Sequence, residues 1–135
     1  MRIVLDTNCF ISCIGKKSPY RNVFDAFLNY QYSLCLSTDI LFEYEEIFYE
    51  KWGEEVTKNL LARILRATNI ISTETYFDFN LSIDKDDDKF INVYISSNSD
   101  YLVSNDKDIL ILRNNSFPPI NVITLQEFSA LIKTL

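Results

Sequence analysis

Histidine is absent from this sequence of 135 residues. That removes Ser-His-Asp and Cys-His catalysis, imidazole acid–base chemistry and histidine-rich metal sites. Any catalysis must use carboxylates, hydroxyls, thiols, lysines or metals held by oxygen. Cysteine is scarce: Cys9, Cys13 and Cys35 form an odd set without regular spacing, which is no disulfide framework. Cys9 and Cys13 are four apart and placed to share a helix face, where a free cysteine behaves as a small apolar residue. No apolar run is long enough to span a membrane. The first one meets Asp6 too soon to be a signal peptide. These absences point to a soluble cytoplasmic protein without membrane association. Positive charge is also short: 13 Lys and Arg face 19 Asp and Glu, a net charge of −6. Nucleic-acid binders usually show a basic surface instead. The sum does not exclude one, because acids gathered around a metal are neutralised by it.

What is present suffices for a core: 47% of residues are apolar, in a length that suits one domain over residues 1–135. The organising stretch is Arg2-Ile3-Val4-Leu5-Asp6-Thr7-Asn8. A short aliphatic run reads as a strand buried on both faces. It stops at a carboxylate and two residues that favour turns and caps. Asp6 is placed either to cap the next helix or to line the edge where ligands collect in open α/β sheets. Residues 9–14 read as a short helix ended by Gly15, and Val23, Phe24, Phe27 and Leu28 mark a helix over about residues 20–30. Residues 33–36 read as a strand. Ser37 or Thr38 caps a helix that runs to about Trp52 and stops at Gly53. Glu43 lies at one edge of its apolar arc and Glu45 at the other. Val56, Leu60, Leu61, Ile64 and Leu65 mark a further helix, and Ile70-Ile71 a short edge strand. Residues 72–83 show no period.

The triple Asp86-Asp87-Asp88 opens a helix with the stripe Phe90, Ile91, Tyr94 and Ile95. Capping explains one aspartate well and three poorly. Spacing puts Asp88 on the inward face and Asp86 and Asp87 nearer the cap. Tyr101-Leu102-Val103-Ser104 is the next strand, ending at Asn105-Asp106-Lys107-Asp108. Ile109–Leu112 is a brief apolar segment, which Pro118-Pro119 breaks. Asn121–Ile123 is the last strand, and Thr124-Leu125-Gln126-Glu127 fits a capping box. Strands alternating with helices imply a parallel sheet in a three-layer α/β/α sandwich. Asp6, Glu43, Asp88 and Asp106 then fall at one sheet edge. Four unpaired carboxylates there would repel and raise one another's pKa values. A hard divalent cation, Mg²⁺ or Mn²⁺, resolves this with an all-oxygen donor set, and such ions support in-line phosphodiester displacement.

In content and order these segments resemble the PIN domain family: Asp6-Thr7-Asn8 after a strand, an acid in the Glu43 helix, Asp86-Asp87-Asp88-Lys89-Phe90-Ile91, and residues 100–108. They look most like the VapC-like toxin components of toxin–antitoxin pairs. The resemblance implies a five-stranded parallel sheet and a Mg²⁺- or Mn²⁺-dependent ribonuclease. It places the family's four acids on Asp6, Glu43, Asp88 and Asp106 or Asp108, with Glu45 and Asp87 as competitors for the second and third. Asp6, Asp88, Asp106 and Asp108 are then the metal ligands. Thr7, Asn8, Ser104, Lys89 and Lys107 position substrate, and Lys16, Lys17 and Lys85 border the same edge. RNA is the implied substrate. An antitoxin or a second copy is the implied partner, for which Phe42, Tyr49, Trp52, Tyr76, Phe77 and Phe79 are the candidate contacts. Two other classes fit parts of the pattern: a non-catalytic PIN-like interaction domain whose acids serve as caps, and a Mg²⁺-dependent phosphotransfer or receiver-like domain. Asn8 stands where haloacid-type phosphatases carry a second aspartate.

Overall fold

A computed structural model describes residues 1–135. Its centre is β1 (Arg2–Leu5), in which Ile3, Val4 and Leu5 are all fully buried. Successive strand residues point to opposite faces, so both faces of the sheet are covered. β1 pairs in parallel with β2 (Ser33–Leu36) on one side and β4 (Tyr101–Val103) on the other. β3 (Ile70–Ser72) and β5 (Val122–Ile123) form the edges, giving the order β3-β2-β1-β4-β5 with every pair parallel. The chain leaves β1 in one direction and returns to pair on its other side. The switch point of the sheet therefore lies between β1 and β4, where a crevice opens beyond the strand ends.

Six helices flank the sheet: α1 (Thr7–Ile14), α2 (Arg21–Leu28), α3 (Thr38–Arg66), α4 (Asp88–Ser96), α5 (Lys107–Leu110) and α6 (Leu125–Ile132). α1, α2 and α6 pack together, while α4 lies across β1, β2 and β4. The five-stranded α/β architecture expected from the sequence is the one observed, and α6 opens with the expected Thr124–Glu127 capping box. None of the helices is long and apolar enough to cross a membrane. The three cysteines are free and buried, and burial pushes the thiols of Cys9 and Cys13 up, away from the reactive thiolate.

The sequence expects two helices on either side of Gly53. They meet directly there, in one span whose Gly53 stands at φ 81°, ψ 179°. This backbone region disfavours side chains, and glycine enters it freely. The first arm buries Ile40, Tyr44 and Phe48, and Phe10 meets Tyr44 edge-on at 4.9 Å. The Tyr44 hydroxyl donates to the carbonyl of Leu5 at 2.5 Å, pinning the arm to the end of β1. The second arm keeps the expected apolar residues but packs them unevenly, with Leu60 and Leu61 partly buried against the core. Ile64 is buried, whereas Val56 and Leu65 are about half exposed. Together with Phe42 and Tyr49 of the first arm, Leu61 and Leu65 line an open groove of about 1170 Å³ rimmed by Glu45, Glu46, Glu50 and Glu54. Trp52 is half-buried against Phe48, so its ring belongs to the domain's own packing. Tyr76 and Phe77 are largely exposed on the loop after β3.

Candidate active site

Asp6 follows β1 and performs both roles open to it in the sequence. Its backbone N–H donates to Val103, and its Oδ1 accepts from the Cys9 N–H at 2.8 Å, capping α1. Its Oδ2 accepts from the Ser104 hydroxyl, at the end of β4. Ser104 is fully buried and also accepts from the Asp106 N–H at 3.0 Å. One hydroxyl thus ties the two strand ends together across the switch point. Burial raises the Asp6 carboxyl above its ordinary range, against the hydrogen bonds from Ser104 and Cys9 that lower it, and the charge of Asp106 raises it further. Asp106 caps α5 through the Asp108 N–H at 2.8 Å, with the rest of its carboxylate exposed. Asp6, Asn8, Ser12, Asn105 and Asp106 line a cleft of about 220 Å³.

Asp88, expected as the third acid, is the first residue of α4 and is buried. Its carboxylate has local partners: its Oδ1 accepts from the Ser82 N–H at 3.0 Å, and its Oδ2 lies 3.9 Å from Lys85. It anchors the loop that leads into α4. Asp84 caps the turn before α4 through the Asp86 N–H. Asp87 holds the cap position of α4, yet its side chain caps nothing. Its Oδ2 is sealed from solvent without a hydrogen-bond partner. Its carboxyl is pushed up to about 7 by burial first, then by the charges of Asp106, Asp84, Asp6 and Asp108. Asp87, the competitor for the third position, therefore keeps an unpartnered carboxylate oxygen within the field of Asp106 and Asp6. Helical spacing counted from the stripe of α4 put Asp88 on the inward face and Asp87 nearer the cap, as observed. Asp87 belongs to a short 3-10 turn (Lys85–Asp87) before the helix, outside that count.

Glu43 stands beside this group rather than inside it. Its Oε2 accepts from the Thr7 hydroxyl, and its Oε1 accepts from Lys89 Nζ at 2.8 Å. Glu45 is exposed on the groove of α3, remote from these contacts. Tyr44 sets the position of Glu43 by fixing the adjacent turn to Leu5. The sequence marked Tyr44 only as part of an apolar arc, and its hydroxyl was the available signal. Asn8 and Lys107 are exposed near the cleft, Lys16 and Lys17 are exposed in the loop after α1, and Lys85 pairs loosely with Asp88.

The acids do not close into a cage: no three Asp, Glu, Cys or His side chains converge tightly enough to hold an ion unaided. Magnesium suits such an arrangement, since it binds through one or two carboxylates and keeps several waters. The donors are all hard oxygens, and the partnerless buried oxygen of Asp87 is an acceptor that a cation would satisfy. The residues present therefore fit a divalent metal.

The family model of the PIN domain matches residues 2–108, and the chain belongs to this family. It is similar to an uncharacterised protein of Methanocaldococcus jannaschii, with 30% identity covering 93% of this chain and 84% of the relative. The fold resembles a chain in the crystal structure of VapBC2 from Rickettsia felis bound to a DNA fragment from their promoter. The TM-score is 0.62 at 20% identity, over 92% of this chain and 98% of that one. It also resembles the PIN domain endonuclease Utp24, with TM-score 0.52 at 18% identity, over 91% of this chain and 84% of that one. At these identities the structural likeness speaks for the fold.

Proposed function

We propose that this protein is a Mg²⁺- or Mn²⁺-dependent endoribonuclease of the PIN family, acting as the toxin of a toxin–antitoxin pair. The observation that carries the catalytic part is the sealed oxygen of Asp87, which stands without a partner in the field of Asp106, Asp6 and Asp108. Asp6, Asp87 and Asp106 would hold the cation, with Asp108 beside them. A divalent cation supplies an activated water and offsets charge on the leaving oxygen of a phosphodiester. Ser104 orients Asp6, and Thr7 and Lys89 orient Glu43, so the protein holds these carboxylates before substrate arrives. Lys107 and Asn8 are exposed beside the cleft and positioned to meet the RNA backbone.

Two competing classes account for less. An interaction domain whose acids are only caps leaves Asp87 unexplained, since its side chain caps nothing. A receiver-like domain has the strand order 2-1-3-4-5, unlike the order here.

Incubation with single-stranded RNA and Mn²⁺ tests the activity. Cleavage is expected, lost in excess chelator and reduced about 100-fold or more by Asp6→Asn or Asp87→Asn. Cleavage that persists in chelator overturns the metal requirement, and cleavage of DNA alone overturns the RNA assignment. The toxin part rests on the α3 groove, whose apolar floor and glutamate rim suit an antitoxin segment of mixed apolar and basic residues. Expression of the wild type should slow growth and Asp6→Asn should not. A Phe42→Ser/Tyr49→Ser variant should lose a co-expressed antitoxin yet stay folded, because both rings are mostly exposed. A groove that instead holds a second copy shows as a dimer on sizing chromatography that this variant dissolves.

A further inference from the structure

The carboxylates at the sheet edge divide into two sets. The charge of Asp106 raises Asp6, and those of Asp106, Asp84, Asp6 and Asp108 raise Asp87; none of Asp6, Asp87, Asp106 and Asp108 has an ion-pair partner. Glu43 has its own: Lys89 reaches from α4 to α3 and donates to Oε1 at 2.8 Å, while the Thr7 hydroxyl takes Oε2. Both oxygens of Glu43 are thus engaged. Lys89 and Glu43 are each only about a quarter exposed (23% and 25%), so this pair is shielded from the solvent that weakens surface ion pairs. Lys89 is also two residues beyond Asp87 on the same turn of chain, so the group that pairs Glu43 is built into the element that delivers the third acid.

We infer that Lys89 occupies the place a second divalent cation would take, so that this site binds a single metal ion and Lys89 is a positioning residue that supplies the other positive charge. The inference rests on the metal-dependent function proposed above. Its chemistry is plain: an ammonium neutralises Glu43 and fixes its orientation, while a free Glu43 carboxylate next to Thr7 would be one more hard oxygen donor for Mg²⁺ or Mn²⁺. The retained N–H groups of Lys89 are available to a phosphodiester oxygen, as a point charge without the fixed fork of arginine.

Counting Mn²⁺ by electron paramagnetic resonance and calorimetric titration tests this without any assay of cleavage. The wild type should bind one ion. Lys89→Met keeps the length of the side chain, removes the charge and should raise the count to two. Lys89→Met/Glu43→Gln should return it to one, and Lys89→Arg should keep it at one. A wild type that binds two ions, or a folded Lys89→Met that still binds one, overturns the inference. Glu43→Gln in the wild-type background is an independent arm should Lys89→Met fail to fold. It should leave one ion bound, with affinity weakened by no more than about 10–100-fold, the scale on which outer partners act. Loss of the ion would show that Glu43 is a ligand and overturn the inference. A wild type that binds no Mn²⁺ at all overturns the proposed function itself, which distinguishes the two failures.

Discussion

Asp87 and Asp88 are neighbours with opposite tasks, and substituting each should move stability in opposite directions. Asp88 holds the Ser82 N–H in a buried position, so Asp88→Asn exchanges a charge-assisted bond for a neutral one and should lower the apo melting temperature, by about 1 kcal/mol of stability. Asp87→Asn removes a repelling charge that makes no bond, so apo stability should be equal or higher. The difference should depend on pH. Asp87 titrates at about 7 in the fold and at about 3.9 in an unfolded chain. Between these values the folded state keeps a proton that the unfolded state releases, so stability falls as pH rises through the window and levels off above it. Asp6, also raised, has the same sign. The melting temperature of the apo wild type relative to Asp87→Asn should therefore decline from pH 5 to pH 8. Saturating Mn²⁺ should reverse the decline in the wild type, adding about 2.7 kcal/mol at a hundredfold excess over Kd. A pH-independent difference would show that Asp87 does not sense its neighbours.

At the scale of elements, α3 carries two devices that position the site. Tyr44 joins its first arm to β1, and Tyr44→Phe deletes that bond while leaving the ring in the aromatic cluster with Phe10 and Phe48. A loss of about 0.5–1.5 kcal/mol is expected on denaturant titration, with the freed Leu5 carbonyl adding to it. Gly53 supplies the bend. A Cβ there meets nothing within 4 Å, so any cost of Gly53→Ala is purely conformational. About 1–3 kcal/mol is expected, since this φ/ψ combination is one that essentially only glycine adopts. Little or no loss would mean that the two arms reorient freely. Most of these elements were legible as apolar runs: residues 33–36 and the run from Ile3 to Leu5 alternate with stripes at helical spacing, which is enough for a parallel sheet. The failures share one cause. Periodicity reports which face is apolar, not where a helix begins. Asp87, in the 3-10 turn before α4, therefore lay outside any helical count, and the apolar residues of the second arm of α3 gave no sign that Val56 and Leu65 stay half exposed.

For the whole molecule, the charge balance sets how RNA is met on the proposed function. With a net charge of −6, the long-range field repels a polyanion, so binding cannot rest on a basic surface. Few cations border the cleft: Lys89 is committed to Glu43, Lys85 lies by Asp88, and Lys107 is exposed after β4. If these three meet phosphates, each releases counterions from a single strand, and the slope of log K against log salt should be about −2. Binding of single-stranded RNA by Asp6→Asn, measured by anisotropy across a salt series, checks this. Lys107→Ala should make the slope shallower by about 0.7 and weaken binding evenly across sequences. Addition of Mg²⁺ to the wild type should strengthen binding beyond what its ionic strength allows, because the cation converts the repelling acids into a phosphate site. A slope as steep as that of a basic nucleic-acid binder would place the RNA on cations other than these. On the proposed function, an antitoxin that brings its own positive charge to the glutamates lining the α3 groove would supply them.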